Sequence, residues 1–396
     1  MPAGTSGFTS PVASAVVNGA SASGAAAASA GASGSAGTAT SAGASGAAGA
    51  SGAGSAAGSA TAKPSASAAG IPSAAPTVAR VAADTTAVST LAGSRVAIPG
   101  TEGQAIGVDI LWVDPASHTL YVTDHASCGV DMFDVTSPQA KFLKTIKTPA
   151  PSNGVVVAGN RIVVGLGNGS VAIIDPTAGQ IVATLPTGGK SRADELDYDP
   201  KDNKVYIANS NDAVISVVDM ASSKITKQFI NMGDGLEQPR YDPANGMMFV
   251  THDTGIYVFD PTSDTLVKNL TDVKGCSGIN INPKTQQGLV SCAPDWVTYD
   301  FAAMKKTGTI DQACAGDGNA YSAALDVYVS PAGLGCRFGP TMSLATGSPP
   351  KFLTNVPITV PGVIHSATID EANKMVYFVG ASGLYSFPIP TKPASS

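Results

Sequence analysis

The stretch ADELDYDPKDNKVYIANSND (193–212) and the later GLEQPRYDPANGMMFVTHDTG (235–255) share one arrangement. Each has an acidic residue five places before an Asp-Pro, then a turn, then an apolar run. Proline cannot donate to a strand ladder and an aspartate caps a turn, so each Asp-Pro marks the end of a strand. The runs that follow, VYIAN and MFVTH, alternate and are rich in β-branched and aromatic residues, which predicts a second strand. A Gly/Asn/Ser/Asp turn then leads to a third, DAVISVVD or GIYVFDP. The fourth, KITKQFI or TLVKNLT, carries lysines that protect an exposed edge.

The unit recurs along the chain. With Asp114, Ala158, Asp199, Asp242, Asn282, Ser322 and Asp370 taken as equivalent, the spacing runs from 40 to 48 residues. Several short strands at that period fit one four-stranded propeller blade, so the expected fold is an all-β, seven-bladed β-propeller. The seventh unit ends at FPIPTKPASS with no fourth strand, and GSRVAIPG (93–100) is expected to supply it and close the ring. Closure removes the open edge.

The runs LYVTDHAS, VYIANSND and MFVTHDTG, each after an xDP turn, resemble the YVTN-repeat β-propeller family over most of residues 80–390. The resemblance implies a seven-bladed, exported or cell-surface propeller. Relatives include non-catalytic surface proteins and subunits of redox enzymes, so it fixes no activity. Two departures stand out: the second unit lacks the Asp-Pro, and the fifth reads GLVSC where the tyrosine should be.

Composition sets the domain plan. Residues 1–78 are almost wholly Ala, Gly, Ser, Thr and Pro, with no charge before Lys63, and are expected to form a disordered linker or stalk. Residues 79–392 are expected to form the propeller. A net charge of −6 argues against nucleic acid or an anionic membrane as partner. No apolar run is long enough to span a bilayer, and a monomer is expected. MPAGTSGFTSPVASAVV lacks the basic start and apolar core of a secretory signal. The stalk ahead of a β domain nevertheless favours an extracellular, periplasmic or cell-surface location. Five cysteines bear on the same point. Cys276 with Cys292, and Cys314 with Cys336, flank predicted hairpins and form disulfides if the cross-strand geometry permits, leaving Cys128 over. The alternative is five buried thiols.

Five places before the turn-equivalent residues lie Asp109, Asn153, Asp194, Glu237, Ser277, Asp317 and His365, all polar. In a propeller these positions ring one mouth of the central channel, a site for a small molecule or a protein partner. Carboxylates converging there repel one another unless water, a cation or a basic ligand compensates. Glu237, Asp194, Asp317 and Asn153 suit an oxygen-liganded cation such as Ca2+; a solvated channel rim is the plainer reading.

Three functions remain open. The first is a binding or interaction module. The second is a metal-dependent lactonase, hydrolase or lyase at the same mouth, with His365 as base, by analogy of residue type with calcium-dependent propeller lactonases. The third is a propeller subunit of a redox complex. Elsewhere, His118, His125 and His252 are expected at surface turns, and Trp112 and Trp296 in the core, with Trp112 near enough to the mouth to stack on a ligand. No zinc spacing, haem CxxCH, Walker loop or GxSxG elbow occurs.

Overall fold

The computed structural model describes residues 94–101, 107–333, 335–360, 364–380 and 383–390, without the side chain of His365. The expectations for residues 1–78 and for the imidazole of His365 fall outside these residues. The rest forms seven four-stranded antiparallel sheets, and among the described residues there is no helix. Six sheets are consecutive in the chain. The seventh takes its outer strand from Ser94–Val96, which pairs antiparallel with Gly383–Pro388, so the predicted closure holds.

Burial explains how each sheet reads in sequence. Second and third strands such as Lys204–Asn209 and Val214–Asp219 are covered on both faces by neighbouring sheets, so they run VYIAN and VISVV with almost no exposed residue. Fourth strands such as Lys224–Phe229 and Thr265–Leu270 lie at the rim and are mostly exposed. The apolar core is accordingly divided into seven clusters, each shared by two adjacent blades. Leu120, Phe133, Tyr377 and Leu384, for example, join the first blade to the last.

Turns at one end are capped from within. Asp114 accepts the Ala116 amide, Asp199 the Lys201 amide, Asp242 the Ala244 amide and Asn282 the Lys284 amide. The second blade lacks Asp-Pro because Gly159, at φ 62°, makes the turn between Ser152–Ala158 and Arg161–Leu166 directly. In the fifth, Leu289 replaces the tyrosine, and Gly288 beside it leaves no room for a side chain against Phe301.

Both expected disulfides form. Cys276 and Cys292 are cross-strand partners inside the fifth blade, and Cys314 joins Cys336 in the sixth. Cys128 is a free thiol. No helix among the described residues is long and apolar enough to cross a membrane.

Candidate functional site

Most inner strands begin irregularly. Pairing with the second strand skips two residues between Val108 and Leu111, Ser152 and Val155, Cys276 and Ile279, and Ile364 and Ala367. In the third blade the same irregularity is a bulge: the Asp194 amide donates to the Ala208 carbonyl, and the Ala208 amide donates to the Glu195 carbonyl. Two residues there oppose one, which breaks the alternation of side chains and re-aims them.

The residue after each ring position shows why the irregularity suits the channel. In the second, fifth and sixth blades it is Gly154, Gly278 or Gly318. A Cβ there would stand 1.8 Å from the Asp194 carbonyl oxygen, 2.2 Å from that of Asp317, or 2.5 Å from the Ser366 Cβ. Neighbouring inner strands therefore touch backbone to backbone. Hydroxyls tie the same ring: Thr123 donates to the Asn153 carbonyl at 2.5 Å, Thr251 to that of Ser277, and Ser366 to that of Asp109 at 2.5 Å. The third and fourth blades place Glu195 and Gln238 at this step instead. Gln238 reaches across the channel, accepting from the Ile279 amide at 2.7 Å and donating to the Asn319 carbonyl at 3.3 Å.

Glu195 was not among the residues singled out from sequence, yet it stands at the centre of the site. Carboxylate oxygens of Glu195, Glu237 and Asp317, from three different blades, lie within 4.8 Å of one another. Glu195 is 4% exposed and borders the channel cavity. Burial, then the charges of Asp317, Asp194 and Glu237, push this acid well above the usual carboxylate range.

The other ring members have different partners. Asp194, fully buried, pairs with Arg192 and accepts from Ser210 at 2.9 Å; burial, then the charge of Asp109, still hold it high. Asp109 Oδ2 is 3.0 Å from His125 Nε2. Ser277 turns to the sixth blade and donates to the Gly316 carbonyl at 2.7 Å. Asn153 is buried where Thr123 holds its carbonyl. The structure thus brings Glu237 and Asp317 together with Glu195, while Asp194 serves Arg192.

Beneath the acids lies a cavity of about 290 Å³ lined by all seven inner strands. Trp112 faces it with the Arg240 guanidinium over its ring at 5.9 Å, and Arg240 also pairs with Asp197 at 3.6 Å. Trp296 is core, between the fifth and sixth blades. One histidine differs from its expected surface place. His252 is buried, stacked on Tyr257 at 3.9 Å and bonded to Asn269 at 3.0 Å, and burial pushes its imidazole below the usual range. His125 keeps its place in a partly exposed turn and reaches the mouth through Asp109.

No family model matches the chain, and no curated protein sequence does. Among solved structures, a chain of the one titled Kuenenia stuttgartiensis hydrazine synthase superposes with a TM-score of 0.61 at 13% identity. The match covers 74% of this chain and 99% of that one, and at this identity it shows the fold alone.

Proposed function

We propose that this chain is an exported or cell-surface propeller that acts as a binding module. Its ligand position is the acid-lined end of the channel, where Glu195, Glu237 and Asp317 take a hard divalent cation of the Ca2+ kind. The observation that carries this reading is the convergence of three carboxylates from three blades within 4.8 Å. One of them, Glu195, is buried. Like charges packed this closely, one of them buried, are unfavourable unless a proton or a cation compensates them. Oxygen donors on rigid strands are what a hard cation accepts.

The two disulfides support an oxidising compartment, as exported domains have. The YVTN-like runs support membership of that family, with residues 79–392 as the binding head and 1–78 as the stalk. A hydrolytic reading needs a base beside the cation; its candidate, His365, lies outside the described side chains, and no hydrolytic step is assigned.

Metal analysis of the purified protein, with thermal melting in EDTA and in added Ca2+, tests the proposal. Binding to the folded state alone stabilises it by about 2.7 kcal/mol at a hundredfold excess over Kd, so Tm should rise with Ca2+. Glu237→Gln should remove the rise and keep the fold. Absence of both metal and shift would retire the reading.

A further inference from the structure

Asp317 is the cation ligand with the least regular backbone around it. The strand before it ends at Ile310, and the next, Ala320–Ser322, has three residues. What fixes the intervening segment is a set of cross-links. Cys314, three residues upstream of Asp317, is bonded to Cys336 on the loop between Val327–Ala332 and Thr341–Thr346. From that loop Arg337 donates to the carbonyls of Asp311 and, at 3.3 Å, Ala313, and pairs with Asp295 at 2.7 Å. The fifth blade holds the other side: the Ala315 amide donates to Pro294, the Gly316 amide to Ser291 Oγ, and Ser277 Oγ to the Gly316 carbonyl. Gly316 and Gly318, flanking Asp317, sit where a Cβ would strike Pro331 or Ser366. They allow the close path and offer no side chain to hold it.

We infer that the Cys314–Cys336 disulfide positions Asp317 in the cation site, so that the site is fully assembled only in the oxidised chain. The inference rests on the cation reading above. The Cys276–Cys292 bond differs in kind, because it joins two residues already paired in the ladder of one sheet. Its loss leaves that register set by the neighbouring backbone bonds. Reduction of Cys314–Cys336 by a dithiol breaks one S–S bond, adds two electrons and two protons to give two thiols, and converts the dithiol to its own disulfide. The segment bearing Asp317 then keeps Arg337 and the contacts from the fifth blade, but loses its only covalent tie to the loop of Cys336.

Calorimetric titration of Ca2+ into the full chain separates the outcomes. The Cys314→Ser/Cys336→Ser pair, with its fold checked by circular dichroism, should bind about tenfold more weakly than wild type. The Cys276→Ser/Cys292→Ser pair should stay within about twofold. Equal affinity in a folded Cys314→Ser/Cys336→Ser protein overturns the inference and leaves the cation reading standing, whereas no Ca2+ binding by oxidised wild type sinks the cation reading first. If the serine pair fails to fold, the reciprocal effect decides. Coupling between two sites acts equally in both directions, so bound Ca2+ must shift the equilibrium of Cys314–Cys336 with a dithiol redox buffer toward the disulfide, read by alkylation and peptide mass, more than that of Cys276–Cys292. Equal reduced fractions at equilibrium with and without Ca2+ refute it.

Discussion

The exposed turns and the buried channel mouth treat carboxylates in opposite ways. At the end where inner strands finish, aspartates close turns on their own backbone: Asp114 takes the Ala116 amide and the Ser117 hydroxyl, and Asp370 takes the Ala372 and Asn373 amides. The neighbouring turns between third and fourth strands do the same with Asp134, Asp175, Asp219, Asp260 and Asp300, all held below the ordinary aspartate value. At the end where inner strands begin, Asp194 and Glu195 are buried and pushed up. Both disulfides are also at this end. The exposed turns use their acids to build the fold, and the mouth keeps acids the fold would be more stable without; burial raises the turn residues Asp199 and Asp242 as well. Burying charge at a thermodynamic cost is a mark of binding and catalytic sites.

The largest effect that can break this contrast is at Glu195. Glu195→Gln should lower Ca2+ affinity on the order of a hundredfold, equivalent to about 2.7 kcal/mol. The same change should raise the Tm of the cation-free protein at pH 7. The sign follows from the raised acid: the folded state favours the protonated carboxyl, so ionisation above the ordinary value of 4.5 destabilises it, and glutamine removes that penalty. A rise of about 1–2 °C corresponds to about 1 kcal/mol in a domain of this size. A variant that binds Ca2+ normally, or melts lower without it, would mean that this end is ordinary scaffold.

The sequence made the fold legible because each turn had a local chemical cause that repeats. Asp-Pro ended the inner strand, and a buried apolar run followed at a nearly fixed period. The second blade obscured the pattern because Gly159 makes the same turn by positive φ and needs no aspartate. Site residues were harder to read. Counting back five places found the strand starts, and with them Glu237 and Asp317, since the count follows chain length. It picked Asp194 and passed over its neighbour Glu195, because the bulge opposite Ala208 suspends the alternation that would decide which side chain faces the channel. His252 was misplaced for a related reason. The turn after it is exposed, but its ring folds back onto Tyr257 and out of solvent.

Asp131 sharpens the comparison away from the channel itself. It lies two residues into Gly129–Asp134, in the half of the first blade nearer the acid end, fully buried, with Thr145 donating to Oδ1 at 2.5 Å and nothing donating to Oδ2. Burial raises it from 3.8 to about 6. Its ionised form is therefore penalised, and stability falls as pH rises from about 4 through 6. A shift of two pKa units is worth about 3 kcal/mol, and the desolvated amide introduced by Asp131→Asn offsets part of that. The variant should be about 1–2 kcal/mol more stable than wild type in urea at pH 7.5, with no advantage below pH 4. A constant gap across that range would mean that the effect is packing rather than charge.

The smallest effect tests the opposite end. Asp219 accepts the Ser222 hydroxyl at 2.6 Å and the Ser222 amide at 2.7 Å, and these bonds hold its carboxyl below 3.8. A depressed acid contributes stability that is fully present above the ordinary value and disappears as pH falls through the folded one. Asp219 is partly exposed, so solvent screening limits that contribution, and Asp219→Asn should cost no more than about 0.5 kcal/mol at pH 7. Urea midpoints of variant and wild type should converge at about pH 2, where both side chains are neutral. Glu195→Gln must move stability the other way at neutral pH, because its carboxyl is penalised by the same burial that Asp219 escapes. If both substitutions destabilised the protein at pH 7, the division of labour between the two ends would collapse, and the acid cluster would have to be read as scaffold like the turns.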